Sequence, residues 1–591
     1  MPGYMMFRAA AGAAIAALQR LLVRRSAAVA PLSAAALPAS MPAAAAPAAG
    51  ILYALVALLV PAFFFLYGLD AFPLRDNNEG LYAGIAREML ASGEFIVPHL
   101  NGVPYIEKPP LLYWLMSLSM SVFGPTPAAA RLVPAGAMLA LCAGLYHFCR
   151  LHGNKRVGCI ASVGLASAVP VALLSHVVLF DLLLTALLGG CLLSYLHSYL
   201  RRSRRALLLA AFLLALAVLE KGAVALALTG GIVALFLLLM RERDGWRRLL
   251  DPAALAVLVA VAAPWHVWAA YRQEGFAWFY FVNEHLLRFL GQRLPDDYHR
   301  GPWWFYLPRI PVMLLPWSAF LFLLLPDKGK SEAGQGAPAP ILTFCKAAVL
   351  FPLLFFSLSQ NKAEYYMMVV APALALWLAV ETARRLDNGG TRLAVCWGVS
   401  AATALVLVAA APATGAGKVP ATAAWLLGLG WAVMAVALTR WFGRLRTASS
   451  REAALLATAL AAAPALALLC HAAGERGLRD SSAEVARIIR EQPPHAVFIY
   501  RHFEDSFSTL PFYLGHTVGL IDSESRDLQF GCRVSARPTC VSGAAFKAAR
   551  ERGPVAVAVH ADHADDFLRM AGNHGWRVAS AGKKMVYFST K

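Results

Sequence analysis

The stretch NGVPYIEKPPLLYW, residues 101–114, places a carboxylate and an amine directly before an apolar aromatic run. Glu107 and Lys108 are followed by Pro109 and Pro110, which suit the first turn of a helix. A cation before a helix N-terminus opposes the helix dipole, so Lys108 indicates an anionic partner. The alternative is that the lysine stem only extends to carry its ammonium group to a membrane surface.

Residues of the same chemical types recur in other polar segments of the chain. Cations suit a phosphate, whereas carboxylates suit sugar hydroxyls, an amine or proton transfer. The candidates in chain order are Asp76, Asn78, Glu79, Tyr82, Tyr105, Asp181, Glu220, Lys221, Glu284, His285, Arg288, Arg293, Lys362 and Tyr366.

Each of these candidates also has a plainer interpretation. Asp181 could cap a helix, although an ionisable residue bordering an apolar segment is a functional hypothesis by default. Glu220 and Lys221 fit a neutralised turn, and we expect a structural role for that pair. Glu107 and His285 are candidate ligands of a divalent metal, but two ligands without a spacing motif do not define a site.

The composition indicates a membrane protein with many spanning helices. The chain has 591 residues, of which 59% are hydrophobic and 15% charged, whereas a soluble domain carries about 25% charged residues. Apolar runs long enough to span a membrane recur along most of its length. The net charge of +19 resides largely in short basic loops, and we find no nucleic-acid motif. The predicted spans, about 13 in number, are 51–69, 129–149, 158–175, 181–199, 206–219, 222–240, 253–271, 307–325, 341–358, 366–384, 394–412, 423–442 and 453–472.

The distribution of basic residues predicts the topology. Segment 111–124 is apolar but short for a crossing. If it does not cross, six basic loops fall on one face, which is then cytoplasmic. We therefore expect 111–124 to be a helix at the outer interface. The opening stretch, the 272–306 loop and the end of the chain after residue 473 would then lie outside.

Composition also divides the chain into three predicted parts. Residues 1–50 are an Ala- and Pro-rich low-complexity segment, and 51–474 form the transmembrane catalytic domain. Residues 475–591 are predicted to form a small outer α/β domain, with strands expected at 496–500, 555–560 and 576–581. Cys532 and Cys540 flank a turn in this domain, and an oxidising compartment would favour a disulfide between them.

The predicted topology gathers the candidate residues at one mouth of a helical bundle. Phosphate-binding and sugar-binding groups at an outer membrane surface indicate a lipid-linked sugar donor, whose aliphatic tail would lie between helices. A transporter or lipid flippase is the alternative, but the chain shows no internal repeat and its polar residues gather on one face. A purely structural membrane scaffold would not need this cluster.

The residues that carry this chemistry also resemble those of a known family. LYAGIAREMLASGEFIVPHLNGVPYIEKPPLLYW, residues 81–114, resembles the first outer loop of the bacterial 4-amino-4-deoxy-L-arabinose lipid A transferases (the ArnT type), members of the C-type (GT-C) membrane glycosyltransferase superfamily. The resemblance covers most of residues 70–385. It continues through Asp181, EKG at 220–222, PWHVW at 264–268, NEHLLRF at 283–289, LPWSAF at 315–320 and NKAEYY at 361–366.

The resemblance implies a GT-C-like fold with outer interfacial helices and a specific reaction. Such enzymes move aminoarabinose from undecaprenyl phosphate to a lipid A phosphate, with inversion, at the periplasmic face of the bacterial inner membrane. This modifies lipopolysaccharide and confers resistance to polymyxin and other cationic peptides. The implied partners are the donor, lipid A and membrane lipids, and we expect a monomer with no required cofactor. Another lipid-linked sugar transferase, acting on a protein or a different glycan, is the nearest alternative.

The resemblance also implies roles for the candidate residues. Lys108, Arg288 and Arg293 would bind phosphate, and Asp181 with Asp76, Asn78 and Glu79 would act on the sugar or its amine. Tyr82, Tyr105, Lys362 and Tyr366 would line the cavity. Relatives carry an Asp-Glu pair where this chain has Asn78-Glu79. Either a carboxylate at position 78 is dispensable here, or Asp76 replaces it.

Overall fold

A computed structural model describes residues 46–241, 244–295, 301–325, 339–410, 421–493, 495–534 and 539–590. Most of the low-complexity segment predicted for 1–50 lies outside the described residues. The rest forms a long helical bundle followed by a mixed sheet. The outer ends of several bundle helices and the sheet enclose one cavity, described below.

The first half of the bundle contains α-helices joined by short turns. They are α1 (Ala46–Leu66), α2 (Asn78–Ser92), α3 (Leu111–Phe123), α4 (Pro127–Leu151), α5 (Lys155–Ala166), α6 (Val169–Ser175), α7 (Phe180–Arg201), α8 (Arg204–Lys221), α9 (Ala223–Met240), α10 (Asp244–Leu249) and α11 (Pro252–Arg272). Strands β1 (His99–Leu100) and β2 (Val103–Pro104) form a small antiparallel hairpin between α2 and α3.

The second half of the bundle includes several non-α turns. A π-helix (Trp278–Leu287) leads into α12 (Arg288–Leu290) and α13 (Arg309–Met313), followed by a 3-10 helix (Trp317–Leu324), α14 (Ala339–Leu358), a 3-10 helix (Glu364–Val370), α15 (Ala371–Leu386), α16 (Thr391–Ala410), α17 (Ala421–Gly443) and α18 (Ala448–Asp480). π-Helical turns often occur at functional sites.

Eight helices among the described residues are long and apolar enough to span a membrane, or nine when α5 and α6, bent by 67°, count as one span. The chain is therefore a multi-pass membrane protein. The predicted count of about 13 is not confirmed. One reason is that Pro308, Pro311 and Pro316 break the predicted span 307–325 into short helices. Helices α1, α3 and α17 contribute only shorter apolar stretches.

The helix predicted after Pro110 is present as α3. Its 13 residues extend about 20 Å at the usual rise per residue, which is too short to cross a bilayer core. The helix places Glu107 and Lys108 just before its first turn. These two residues lie at one end of the bundle, beside the C-terminal domain.

The C-terminal sheet has the strand order β5-β4-β3-β6-β8-β7. Its strands are β3 (Ala496–Tyr500), β4 (Gly519–Ile521), β5 (Cys540–Val541), β6 (Val555–His560), β7 (Trp576–Ala581) and β8 (Lys584–Ser589). Strands β5, β4, β3 and β6 run parallel to one another, and β8 pairs antiparallel with β6 and β7. The helical elements of this domain are α19 (Ala483–Arg490), a π-helix (Phe503–Phe507), α20 (Leu510–Leu514), α21 (Gln529–Val534), α22 (Gly543–Arg552), a 3-10 helix (Ala561–His563) and α23 (Ala564–Ala571).

The two faces of this sheet belong to different cores, because side chains alternate along each strand. Phe498, Val557 and Val559 face one way and pack within the domain. Ile499 and Ala558 face the other way and share a core with buried residues of α2, β2 and α3. The sheet is therefore packed directly against the elements that precede and follow Glu107.

A buried ion pair joins the domain to the bundle. The Lys584 ammonium contacts the Asp76 carboxylate, and both residues are buried. Asp76 also accepts hydrogen bonds from the Thr509 backbone N–H and hydroxyl, both at 2.7 Å, and from the Ser482 hydroxyl at 2.9 Å. Asn101 adds two hydrogen bonds of 2.8 Å with the backbone of Val518.

We expect Lys584→Ala to destabilise the attachment of the C-terminal domain. Breaking one half of a buried ion pair costs about 3–5 kcal/mol because the other charge stays buried. The measurements are the Tm of the detergent-solubilised protein and the rate of protease cleavage within residues 481–590.

Glu484→Ala is the matched control, because it removes an exposed pair with Arg487, and exposed pairs contribute little to stability. We expect its Tm to equal that of the wild type. A Lys584→Ala protein with wild-type Tm and protease resistance would contradict the proposed anchor.

Candidate functional site

A cavity of about 600 Å³ opens between the bundle and the C-terminal domain. The apolar residues of its lining, here called the apolar wall, include Leu184, Val224, Phe281, Phe289 and Phe355. The lining also carries ionisable groups, and the cluster of Glu107, Lys108, Glu284, Arg288 and Arg293 is here called the cation wall. The polar lining residues are Asn77, Asn78, Tyr82, Glu107, Lys108, Asp181, Lys221, Glu284, His285, Arg288, Arg293, Ser359, Asn361, Tyr365, Tyr366, Glu504 and Asp527.

The buried guanidinium of Arg293 lies at the centre of the cation wall. It contacts the carboxylates of both Glu107 and Glu284, and Arg293 itself is only 3% exposed. Lys108 Nζ lies 3.3 Å from Glu107 Oε2 and 3.8 Å from Glu284 Oε2. Arg288 Nη1 donates to Glu284 Oε2 at 2.8 Å. Two carboxylates thus hold three cations at the cavity wall.

The protonation of this cluster follows from its charges. Burial alone would raise the pKa of Glu107, but the Arg293 guanidinium and the Lys108 ammonium outweigh it and lower the pKa to about 2. Burial and the neighbouring Glu107 and Glu504 carboxyls raise the pKa of Asp527 well above its usual value. Because the pKa of Glu107 is lowered and that of Asp527 is raised, the proton of the hydrogen bond between them belongs to Asp527, which donates it to the Glu107 carboxylate.

Two further lining residues, Asp181 and Lys221, form a second ion pair. Asp181 lies in the first turn of α7, and its Oδ1 accepts from Lys221 Nζ at 2.6 Å. The same ammonium lies 4.7 Å from the centre of the Tyr366 ring. The prediction that Glu220 and Lys221 form a neutralised turn is wrong. Lys221 faces the cavity, whereas Glu220 is buried and is not part of the cavity lining.

His285 fixes the turn that carries Lys221. Its Nε2 accepts the backbone N–H of Ala223 at 3.1 Å, and its Nδ1 donates to the Tyr280 carbonyl at 2.6 Å. Burial lowers the pKa of His285, in agreement with a neutral ring that accepts through Nε2. Both ring nitrogens are therefore used within the protein, and Glu107 is bound to Arg293. The role of Glu107 and His285 as metal ligands stays a prediction.

Gly222 makes this contact possible. Its φ of +69° is a conformation that side-chain-bearing residues rarely adopt, and an added Cβ would lie 2.2 Å from His285 Nε2. The glycine of the EKG sequence at 220–222 is therefore required for a steric reason. It allows the His285 ring to approach the turn that carries Lys221.

Two of the predicted catalytic carboxylates lie outside the cavity lining. Asp76 is the anchor for Lys584, so it does not replace a carboxylate at position 78. Glu79 pairs with buried Arg131, with an Nε–Oε1 distance of 2.8 Å, and accepts the Val178 backbone N–H at 3.2 Å. Glu79 thereby orients the turn before α7 and Asp181. The interpretation of Asp76 and Glu79 as sugar-contacting groups is corrected on these contacts.

Asn78 and the tyrosines occupy different positions around the cavity. Asn78, Tyr82 and Tyr366 line it, and the Tyr82 hydroxyl donates to Asn78 Oδ1 at 3.1 Å. Tyr105 lies behind the wall, where its hydroxyl donates to Glu107 Oε2 at 3.3 Å. Burial raises the pKa of Tyr82 and of Tyr105, so both keep their protons.

Lys362 is placed differently from its prediction as a lining residue. It is buried, and its ammonium donates to the carbonyls of Phe356 and Ser357 at 2.7 and 2.8 Å. A cation that binds the last carbonyls of a helix stabilises its C-terminus. Lys362 therefore caps α14, while its neighbours Asn361 and Ala363 line the cavity.

The C-terminal domain adds two residues that sequence reasoning missed. Glu504 and Asp527 line the cavity, and Asp527 Oδ1 lies 3.7 Å from Arg293 Nη2. No motif around either residue signals this role, because their position depends on how the domain packs on the bundle. The structure also joins Cys532 and Cys540 by a disulfide, eight residues apart in sequence.

The chain is similar in sequence and in structure to several named proteins. Residues 107–268 match the family model described as dolichyl-phosphate-mannose-protein mannosyltransferase. The undecaprenyl phosphate-alpha-4-amino-4-deoxy-L-arabinose arabinosyl transferase of Pseudomonas aeruginosa strain LESB58 is 36% identical over 345 residues, 57% of this chain and 61% of the relative. The transferase of the same name from Aeromonas hydrophila is 30% identical over 56% of this chain and 60% of its own length. The chain thus spans about three fifths of the curated relatives that it matches.

The fold itself has a solved counterpart. The crystal structure of ArnT from Cupriavidus metallidurans bound to undecaprenyl phosphate superposes with a TM-score of 0.74. It is 24% identical and covers 92% of this chain and 98% of its own. The apo structure of the same protein gives a TM-score of 0.73. The chain therefore has the ArnT-like fold expected from its sequence.

We expect Gly222→Ala to destabilise the turn that presents Lys221. A non-glycine residue in this backbone conformation costs about 1–3 kcal/mol, and its Cβ would also displace His285. The measurement is the Tm of the detergent-solubilised protein.

Gly230→Ala is the control in helix α9, which begins directly after Gly222, because an added Cβ at Gly230 meets no atom within 4 Å. We expect an unchanged or slightly higher Tm, since alanine favours a helix. Equal Tm values for the two variants would show that His285 and the turn do not constrain each other.

Proposed function

We propose that this chain is an inverting glycosyltransferase that moves 4-amino-4-deoxy-L-arabinose from undecaprenyl phosphate to a phosphate of lipid A. The observation that carries the proposal is a cavity whose lining includes both the apolar wall and the cation wall. A long lipid with a phosphate head and a sugar requires both surfaces in one place. The names of the relatives from Pseudomonas and Aeromonas, and the ligand named for the Cupriavidus structure, support this choice of donor.

The donor phosphate fits the wall formed by Lys108, Arg288 and Arg293. Lys108 and Arg288 are partly exposed, with side chains 15% and 25% accessible, whereas Arg293 is enclosed by carboxylates. Lys108 and Arg288 therefore bind phosphate oxygens directly, and Arg293 holds Glu107 and Glu284 in the positions that orient them. The lipid chain extends along the apolar wall.

The sugar fits between this wall and the Asp181–Lys221 pair. Asp181 is held by Lys221 at 2.6 Å and by its place in the first turn of α7. It offers a carboxylate for a sugar hydroxyl or the sugar ammonium. Asn78 supplies an amide at the position where relatives carry a carboxylate, so the reaction in this chain uses no carboxylate there.

The reaction then needs positioning and charge stabilisation more than proton transfer. A lipid A phosphate oxygen, already anionic, forms a bond to the anomeric carbon from the face opposite the donor phosphate. The bond between that carbon and the donor phosphate oxygen breaks, and its electron pair leaves with undecaprenyl phosphate. Lys108 and Arg288 stabilise the charge that develops on the leaving phosphate. No cofactor is required for this sequence of events.

We place the cavity and the C-terminal domain at the periplasmic face of the bacterial inner membrane. The support is the sequence topology, in which the basic loops lie on the opposite, cytoplasmic side. Addition of a cationic sugar to lipid A would reduce the negative surface charge and thereby give resistance to polymyxin and other cationic peptides. The chain would act as a monomer, because one copy supplies all the groups used here.

A transferase acting on a protein is the second candidate. The family model that matches residues 107–268 is described by a protein acceptor and a dolichyl phosphate donor. The same cation wall and apolar wall would serve such a lipid donor. The acceptor therefore has to be identified by experiment.

We expect expression of the chain to add an amino-pentose to lipid A in a Gram-negative host that makes the aminoarabinose donor but lacks its own transferase. Lys108→Ala should reduce the addition at least about a hundredfold, because removing one group that stabilises a developing charge typically costs that much. Mass spectrometry of lipid A measures the increment, and immunoblotting of the membrane fraction measures the amount of protein.

Lys583→Ala is the matched lysine control, since Lys583 is exposed in the β7–β8 turn of the C-terminal domain. It should give the wild-type increment. If the intact chain is present with its donor and leaves lipid A unmodified, the aminoarabinose assignment is wrong. A sugar found on membrane protein in the same cells would favour the second candidate.

A further inference from the structure

The segment of residues 525–534, here called the covering segment, brings Asp527 to the cavity. It leaves the C-terminal sheet after β4 and includes α21. Ser525 donates its hydroxyl to Glu504 at 2.8 Å, and Asp527 follows two residues later. Asp527 shares a hydrogen bond with Glu107 and lies 3.7 Å from Arg293.

The covering segment is fixed on two sides. On the side of the sheet, the Cys532–Cys540 disulfide joins α21 to β5. On the side of the bundle, the Phe530 ring packs on Phe279 of the π-helix, with 4.6 Å between ring centres. Gly531 lies so close to β2 that an added Cβ would be 2.2 Å from the Pro104 carbonyl oxygen.

The Glu107 carboxylate is bound by two cations and one tyrosine. Oε1 binds Arg293, and Oε2 accepts from Tyr105 and Lys108. Asp527 contributes a further hydrogen bond from the opposite domain and approaches the same guanidinium. The charged and titratable groups that face Asp527 include Glu107 on the segment before α3, Arg293 after α12 and Glu504 on the π-helix at Phe503–Phe507. The buried tyrosines Tyr82, Tyr105 and Tyr113 also lie within its electrostatic reach.

We propose that Asp527 is a positioning residue for the donor phosphate site, and that the covering segment delivers it by packing on β2 and the π-helix at Trp278–Leu287. Its hydrogen bond to Glu107 holds that carboxylate between Arg293 and Lys108, so that the Lys108 ammonium stays directed at the phosphate. This inference rests on the proposed function, because it assigns the phosphate of that donor to the cation wall. It makes the C-terminal domain a part of the donor site.

The first test compares Asp527→Ala with Asp527→Asn in the full-length chain in detergent. The probe is undecaprenyl phosphate alone, with binding measured by titration, and lipid A modification is measured in parallel. Asp527→Ala should weaken binding about tenfold or more, because the buried Glu107 carboxylate loses a hydrogen bond. Asp527→Asn keeps an N–H donor of the same size and should bind within about threefold of the wild type.

The control in the same domain is Asp565→Ala, because Asp565 is exposed in α23. It should bind and transfer as the wild type does. A purely structural role for Asp527 would lower the Tm without separating alanine from asparagine in binding. Wild-type binding by Asp527→Ala, or equal loss in Asp527→Ala and Asp527→Asn at unchanged Tm, would overturn the inference.

The second test leaves Asp527 intact and moves its segment. Gly531→Ala introduces the clash with Pro104 and should weaken undecaprenyl phosphate binding about tenfold. Gly553→Ala is the control, since an added Cβ there meets no atom within 4 Å. Wild-type binding by Gly531→Ala would overturn the role of the covering segment, even if Asp527→Ala fails to fold.

The two tests also separate this inference from the proposed function. An intact chain that neither binds undecaprenyl phosphate nor modifies lipid A would refute the proposed function and the inference together. An intact chain that does both, with unaffected Asp527→Ala and Gly531→Ala variants, would refute the inference alone.

Discussion

The cavity depends on the buried guanidinium of Arg293 and the two carboxylates that enclose it. Glu107 comes from the segment before α3, and Glu284 from the π-helix at Trp278–Leu287. A buried charge is costly unless it is paired and hydrogen-bonded, so each of these groups requires the others. The contact between Arg293 and Glu107 therefore fixes the relative positions of two residues that lie 186 residues apart in the chain.

This cluster also explains how the cations Lys108 and Arg288 can lie close together when no phosphate is bound. Lys108 and Arg288 share the carboxylates that hold Arg293, and their charges are thus partly compensated. An arriving phosphate would meet donors that are already oriented, which avoids the cost of reorganising them during the reaction. Glu79 and Arg131 provide a second buried pair behind the wall, and they hold the turn that leads to Asp181.

The C-terminal domain is continuous with the site in physical terms. One face of its sheet shares a hydrophobic core with α2, β2 and α3, and the Asp76–Lys584 pair lies within the interface. Glu504 and Asp527 reach the cavity because this packing is tight. A domain attached by a loose linker could not place two carboxyl groups beside Glu107 and Arg293.

Sequence by itself determined the membrane character, the short helix after Pro110, the main strands of the C-terminal domain and most of the ionisable residues of the cavity. Hydrophobic periodicity and residue chemistry are local properties, and both can be read along the chain. Only the tertiary structure decided that Asp76 anchors Lys584, that Lys362 caps a helix, that Lys221 pairs with Asp181 and that Asp527 joins the cavity. The partners in the Asp76–Lys584 contact are 508 residues apart. Such pairings depend on how whole elements pack. A carboxylate residue looks the same in the sequence whether it contacts a substrate, an anchor lysine or a buried arginine.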